Sequence, residues 1–396
     1  MDVIYLDNNA TTRPAPEVVE AMLPLLTEAY GNPSSIHRVG QRARQLVDEA
    51  RAKVAALIGC ADHELLLTGG GTEAINTAVR GILAARSPRR RIVLTTVEHS
   101  ATRELCHQLA KEGLAEIVEV PVDVEGVLDL DALRAAVTDD TALVTAMWAN
   151  NETGVIFPVR KIAEVCREKR VPFHCDGTQA IGKLAVNVAE VGIDAMSFAS
   201  HKFHGPKGVG GLYVRRGLRV KPLLIGGPQE RGRRGGTENV PGVVGMGRAA
   251  ELAGEHLADV PRIAALRDAL EAGLLDRCPD AHVIGRRDAR VANTTNVAFA
   301  RLEAEAILIL LSEQGVCASA GSACSSGSLE PSAVLKAMGV APKVAHGAVR
   351  FSLSRYTTAA EVERTLDVVP GVIERLRTVL PVGVGSFGAG APDAGV

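Results

Sequence analysis

Between Pro16 and Arg216 two kinds of apolar pattern alternate along the chain. Val39, Ala43, Leu46, Val47, Ala50, Val54 and Leu57 recur every three or four residues, the spacing of one helix face, and Gly59 follows as a stop. Then come short continuous apolar runs: ELLLT from Glu64, RIVLTT from Arg91, AEIVEV from Ala115, ALVTAMW from Ala142, VPFHC from Val171, AMSFAS from Ala195 and GGLYVRR from Gly210. Runs that are apolar on both sides, separated by helical patterns, predict a mostly parallel seven-stranded sheet covered on both faces. The last two runs lie too close together for a helical crossover, so one of these strands is expected to be antiparallel.

Beyond Gly242 the rhythm changes. Two helical patterns, near Val243–His256 and Pro261–Arg277, lead into TTNVAFA, a helix ending at Gly315, and AVRFSLS. A last helix opens with Thr358 and Glu361 at capping-box spacing. The expected organisation is a large α/β domain over 16–255 and a smaller α+β domain built from 1–15 and 256–380. The Gly-rich stretch 381–396 reads as a disordered tail.

Composition removes several classes of function. The chain has 396 residues, with 46% apolar and 23% charged, and a formal charge of -2, so no basic excess points to nucleic acid or a membrane surface. Apolar runs such as AILILL, from Ala306, are too short to span a bilayer. The opening MDVIYLDNNATT lacks the basic-then-apolar run of a secretory leader. Seven scattered cysteines argue against a disulfide framework or a zinc module and for a reducing cytoplasm.

Ligands of open α/β sheets sit beyond the carboxyl ends of the strands, and the unusual polar residues fall there. Gly69-Gly70-Gly71-Thr72-Glu73 follows the first run, Glu98-His99 the second, and Asn150 and Asn151 the fourth. Asp176 and Gln179 follow VPFHC, and HKFHGPKG with Lys202 follows AMSFAS. Taken singly, each has a plainer explanation. A glycine-rich turn can be only a turn, His99 a hydrogen-bonded edge histidine, and Asp176 a helix cap. His201 and His204 resemble a metal pair, but no third ligand lies near, so no metal is expected. Together the residues suit pyridoxal phosphate, which needs a Schiff-base lysine, a carboxylate at its pyridine nitrogen, an anion cradle and a flat group against its ring. Lys202, Asp176, the Gly71-Thr72 turn and His99 fill these roles in that order. Lys207 competes for the Schiff base, although Gly and Pro around it imply a loop leading away. Gly69, Gly71 and Ala74 also fit a dinucleotide fingerprint, but no acid follows at its usual spacing, and Lys202 and Asp176 are left without a purpose.

YLDNNATT, GNPSSIH, GGGTEA, TTVEHSA, MWANNETG, HCDGTQAIGK, HKFHGPKG, QERGRRGGTEN, GSACSSGSLEPS and AHGAVRFSLSRYTT occur in this order along nearly the whole chain. The series resembles the cysteine desulfurases of the class V aminotransferase family, pyridoxal phosphate enzymes of fold type I, and is most similar to the NifS type. The resemblance implies that Lys202 holds the cofactor, Asp176 pairs with its pyridine nitrogen, Gln179 reaches its hydroxyl, and His99 stacks on the ring and moves protons. It gives the phosphate to Gly71, Thr72, Ser200 and His201, with Ala199 standing where family members often carry a hydroxyl or glycine. Asn151 and Arg350 would hold the substrate carboxylate, with Asn151 also beside the cofactor. Thr237 would reach the phosphate bound by the partner subunit of a homodimer. Without the resemblance, GGPQERGRRGGTEN reads as a solvated basic loop.

ASAGSACSSGSLEPS, Ala318 to Ser332, holds Cys324 in a stretch of Ala, Gly and Ser that resembles a linker. The resemblance makes Cys324 the nucleophile that takes sulfur from L-cysteine as a persulfide, leaving L-alanine. A movable thiol suits a group that must reach the cofactor and then an acceptor. The expected partners are L-cysteine, a second copy of the chain and a sulfur acceptor or iron–sulfur scaffold, with nitrogenase maturation as one destination and brief contact of Cys324 with a cluster. Cys317 is the competing thiol. Cys60, Cys106, Cys166, Cys175 and Cys278 fall in helical or strand patterns and read as structural. Selenocysteine lyase, transamination and a non-catalytic sulfur-carrying scaffold are the alternatives.

Overall fold

A computed structural model describes residues 3–320 and 331–379. Cys324 and the expected tail 381–396 lie outside the described residues.

All seven expected runs form strands of one sheet. They are β2 (Leu65–Thr68), β3 (Arg91–Thr95), β4 (Glu116–Val120), β5 (Thr141–Met147), β6 (Phe173–Asp176), β7 (Ala195–Ala199) and β8 (Gly210–Val214), numbered after β1 (Ile4–Tyr5). Their order across the sheet is β2-β8-β7-β6-β5-β3-β4. The pairs β3–β4, β3–β5, β5–β6 and β6–β7 are parallel. β8 runs antiparallel to both β7 and β2, as the short link before it requires. Every residue of β5, TALVTAM, is buried, which follows from helices covering both faces of a central strand.

The helix Arg38–Ile58 follows its sequence pattern: Ala43, Val47, Ala50 and Val54 are buried. It stops at Gly59, whose φ of 70° is the left-handed conformation that glycine adopts without strain. Its buried face joins Val243, Met246, Ala249 and Ala250 of the helix Val240–Glu255 in one core.

A second core is built around β9 (Ala281–Val283), β10 (Thr294–Phe299) and β12 (Ala348–Ser352), with β10 central and both pairings antiparallel. Leu270, Leu274, Val297, Phe299, Ile307, Leu311, Phe351 and Val369 fill it. The helix Ala359–Val379 opens on a completed capping box: the Thr358 amide donates to Glu361 (2.7 Å) and the Glu361 amide donates to the Thr358 hydroxyl (3.2 Å). β1 pairs in parallel with β11 (Val316–Cys317), which carries the start of the chain into this part of the molecule. Ile284, Ala298, Val334, Leu335 and Met338 pack in the larger core, so the segment after residue 256 serves both cores. Among the described residues no helix is long and apolar enough to cross a membrane.

Candidate active site

The carboxyl ends of β5, β6 and β7 open on a cavity of about 240 Å³. Gly71, Thr72, His99, Asn151, Asp176, Gln179, His201 and Lys202 all line it. Residues up to 131 positions apart in the chain meet here because parallel strands deliver their ends to one edge.

On one side begins the helix Gly71–Ala85. Gly70 precedes it with φ 149° and ψ −179°, a backbone state that side chains with a Cβ rarely adopt. First-turn amides of a helix have no carbonyl partner within it, so this end offers N–H donors and positive dipole to an anion. A Cβ built on Gly71 would lie 3.5 Å from Ala199 Cβ and 3.6 Å from Thr178 Oγ1, so a methyl group would take up part of the cradle.

Asp176 ends β6, is buried, and accepts one hydrogen bond, from the Thr178 amide at 3.0 Å. His99 caps the helix Ser100–Lys111, its Nδ1 accepting from the Ala101 amide at 3.1 Å, which leaves the proton of the neutral ring on Nε2. Burial pushes the His99 pKa down; Asp176 opposes that fall, and the charges of Lys202 and Arg103 add to it. A neutral imidazole is the form that lies against an aromatic ring and accepts a proton.

Lys202 follows β7 in a single 3₁₀ turn, Ser200–Lys202. Its ammonium donates to the carbonyls of Asn9 (2.6 Å) and Ala10 (2.9 Å). The N-terminal arm therefore supplies part of the site. Thr12 donates from its amide (2.9 Å) and its hydroxyl (3.0 Å) to the His201 carbonyl, and His201 Nδ1 bonds the Thr11 hydroxyl at 3.1 Å. Gln179 donates to Asn9 O at 3.0 Å and accepts from Lys183, whose ammonium also reaches Asn9 Oδ1 at 3.0 Å. Burial, and then the charges of Lys202 and Arg350, push the Lys183 pKa well down.

Arg350 is fully buried in β12, outside the cavity lining, and bonds Asp7 Oδ1 (2.6 Å) and the carbonyl of Asn151 (2.9 Å). Ser200 is also buried beyond the lining, packed where a Cβ on Gly205 would meet its hydroxyl. Thr237 is exposed and does not line this cavity. Its loop is not the solvated basic segment that the bare sequence favours. Glu230 is buried in a two-pronged pair with Arg51 (2.5 and 2.9 Å), and Arg234 grips Glu73 (2.9 and 3.1 Å) next to the glycine turn.

The sequence did not point to the roles of Asp7 to Thr12, Lys183, Glu98 or Glu230. Glu98 is buried, accepts from the Thr95 hydroxyl (2.6 Å) and the Met147 amide (3.0 Å), and has one oxygen without a hydrogen-bond partner. Burial holds its pKa up at about 8, and the Asp176 charge adds to the rise. The sequence signal for the arm was the motif YLDNNATT, Tyr5 to Thr12, which carried no role for its separate residues.

An amine, a carboxylate, an imidazole and a helix N-terminus facing one cavity define a pyridoxal phosphate type of site on a mostly parallel α/β sheet. The model of the aminotransferase class-V family matches residues 4–365. Over 381 residues the chain is 52% identical to cysteine desulfurase 2 of Trichormus variabilis, covering 96% of each. It is 48% identical to the cysteine desulfurase NifS of Azotobacter vinelandii, covering 96% of this chain and 94% of that one. A solved NifS-like protein superposes with a TM-score of 0.89 at 38% identity, over 95% of this chain and 100% of the other. The chain belongs to the class-V aminotransferase family, among its NifS-like cysteine desulfurases.

Proposed function

We propose that this cysteine desulfurase takes sulfur from L-cysteine as a persulfide on Cys324 and releases L-alanine. The observation that carries the reading is the convergence of Lys202, Asp176 and His99 on one cavity beside the start of the helix Gly71–Ala85. The donor set fits pyridoxal phosphate: Lys202 supplies the amine, Asp176 a carboxylate for the pyridine nitrogen, and Gly71, Thr72 and His201 line the end suited to a phosphate. When bound, that cofactor supplies an electron sink that makes the α-proton of an amino acid mobile and weakens the bond from its β-carbon to sulfur.

The chain's own residues do the rest. Lys202 is the amine placed to carry the α-proton, with neutral His99 as second acceptor. The Cys324 thiolate attacks the substrate sulfur; the S–S bond forms as the carbon–sulfur bond breaks, and protonation of that carbon gives the alanine methyl group. Burial raises the pKa values of Cys60 and Cys106 to about 12 and of Cys278 to about 11, and pushes Cys166 and Cys175 higher. Those thiols are poor nucleophiles for that reason. Residues 319 and 332, on either side of Cys324, are tied to the site: Ser319 exchanges backbone bonds with Arg350 (3.2 and 2.7 Å), and Ser332 donates to Glu152 at 2.5 Å. Arg350 and Asn151 are placed together and would receive the substrate carboxylate.

Two further parts of the reading concern partners. Exposed Leu26, Tyr30, Ile36 and Ile225, with Thr237 exposed and outside the lining of its own cavity, support a homodimer in which Thr237 serves the other site. The persulfide would pass to a sulfur acceptor of iron–sulfur assembly, in a reducing cytoplasm consistent with six free cysteines among the described residues. The test is protein with L-cysteine and a reductant, assayed for sulfide and alanine. Both products are expected, and Cys324→Ala should lose sulfide release at least about 100-fold while keeping the cofactor's visible absorption. Undiminished sulfide from that variant overturns the persulfide route, and sulfide accompanied by pyruvate and ammonia in place of alanine from the unaltered protein overturns the desulfurase reading.

A further inference from the structure

A second hollow, larger than the one beside Lys202, lies elsewhere in the described structure. A cavity of about 580 Å³ lies at the opposite, amino-terminal ends of β6 and β7, where Arg170, Val171 and Pro172 enter β6 and Asp194 precedes β7. Five arginines line it: Arg86, Arg167, Arg170, Arg215 and Arg219. Asp194 is the single carboxylate in the lining, and its oxygens are already used, one by the Phe173 amide (2.9 Å) and one by Arg215 Nε (2.6 Å). Arg167, Arg170 and Arg219 have no side-chain hydrogen bond or ion pair with any described residue. Arg86 donates once, to the Arg170 carbonyl at 3.1 Å, and its Nε is buried without a hydrogen-bond partner. Burial, and then the charge of Arg89 outside this lining, push the Arg86 pKa down, and Asp194 opposes that fall.

This concentration runs against the chain as a whole, whose formal charge is -2. Like charges gathered around a hollow raise the local concentration of anions of the opposite sign. All five cations are arginine, whose planar fork matches a phosphate or carboxylate with two parallel bonds. Between them the lining is apolar: Ala85, Ala163, Cys166 and Leu218 offer a surface for an uncharged body. The volume falls within the range of small-ligand pockets, roughly 300–1,000 Å³.

We propose that this arginine-lined cavity binds a small polyphosphate ligand, an inorganic chain or the triphosphate of a nucleotide. Its position argues against a seat for the sulfur acceptor. Strands of four or five residues separate it from Asp176 and Lys202, a distance of about 13–17 Å along the sheet. A protein docked there would be on the wrong edge to meet a persulfide formed beside Lys202. A ligand there instead touches the segments that enter β6 and β7, the strands that carry Asp176 and lead to Lys202.

The experiment is calorimetric titration of the protein saturated with pyridoxal phosphate, so that the cleft beside Lys202 offers no competing anion seat. The probes are tripolyphosphate, ATP and adenosine. Binding of tripolyphosphate and ATP is expected, weakening about tenfold or more in Arg170→Ala/Arg219→Ala and falling as salt is raised. Adenosine alone should not bind. ATP binding tenfold tighter than tripolyphosphate assigns the site to nucleotides, and equal binding assigns it to the phosphate chain. Both arginines are exposed and far from the cleft, so desulfurase activity without ligand should be unchanged in the double variant. No heat with either phosphate probe at millimolar concentration, or equal affinity in the double variant, overturns the proposal.

Discussion

Glu98 shows how far one residue's chemistry departs from what its neighbours in sequence imply. It stands beside His99, yet its carboxyl turns into the sheet, where the Thr95 hydroxyl and the Met147 amide hold one oxygen. Met147 in turn pairs in register with Asp176. Burial is the main reason that the Glu98 carboxyl holds its proton, and the nearby Asp176 carboxylate adds to the effect. The sign of the resulting pH effect follows from the raised value of about 8 against an ordinary 4.5. Between those values the folded chain binds a proton that the unfolded chain has lost, so stability falls as pH rises through that window. Glu98→Gln, which keeps the shape and cannot ionise, should remove that slope. Thermal midpoints at pH 5 and pH 9 should show the variant gaining on the unaltered protein, by on the order of 4 kcal/mol at the higher pH. Parallel midpoints across the range would show that Glu98 titrates normally.

At the scale of elements, much of the architecture was legible because it rests on local signals. The seven strands are apolar runs bounded by turns, and β8 had to reverse because too few residues precede it for a crossover. Lys202, Asp176, His99 and Gly71 were legible for a related reason: a strand end is a position that the sequence itself marks. What sequence did not disclose rests on contacts between distant segments. Asn9 and Lys202 are 193 positions apart, and Arg51 and Glu230 are 179 apart. No spacing rule connects such pairs, and a Gly- and Arg-rich loop carries no mark that one of its acids will be buried. The glycine turn before the helix Gly71–Ala85 separates local from tertiary demands within two residues. Gly70 needs glycine for its backbone angles, with open space where a Cβ would stand, whereas Gly71 has no positive φ and faces Ala199 and Thr178. Gly70→Ala should therefore cost about 1–3 kcal/mol in a denaturation midpoint through strain alone. Gly71→Ala should leave that midpoint nearly unchanged in the cofactor-free protein and weaken pyridoxal phosphate binding about tenfold, read from visible absorption after dialysis. Equal stability losses in the two variants would remove the distinction and the cradle assigned to Gly71.

For the whole molecule, the open question posed by the fold is why the loop carrying Thr237 is fastened so firmly when Thr237 itself lies outside the cavity. Buried Arg51 with Glu230 and half-buried Arg234 with Glu73 fix both halves of the loop to the body of the protein, and burying the first pair is a costly use of charge for a segment with no local duty. Exposed apolar side chains at Leu26, Tyr30, Ile36 and Ile225 supply the complementary clue, since a second copy would cover them. A two-fold dimer that presented each loop to the other subunit would combine Lys202 of one chain with Thr237 of its partner in each site. Subunit mixing tests that arrangement directly. Lys202→Ala homodimers should be inactive, and Thr237→Ala homodimers should be weak at limiting pyridoxal phosphate. In a mixed dimer one site receives both substitutions and the other receives neither. Unfolding and refolding equal amounts together should yield about a quarter of the unaltered activity, because half the dimers are mixed and half of their sites are intact. Chains that keep Lys202 and Thr237 of the same subunit in one site would gain nothing from mixing, and the activity would stay at the average of the two parents.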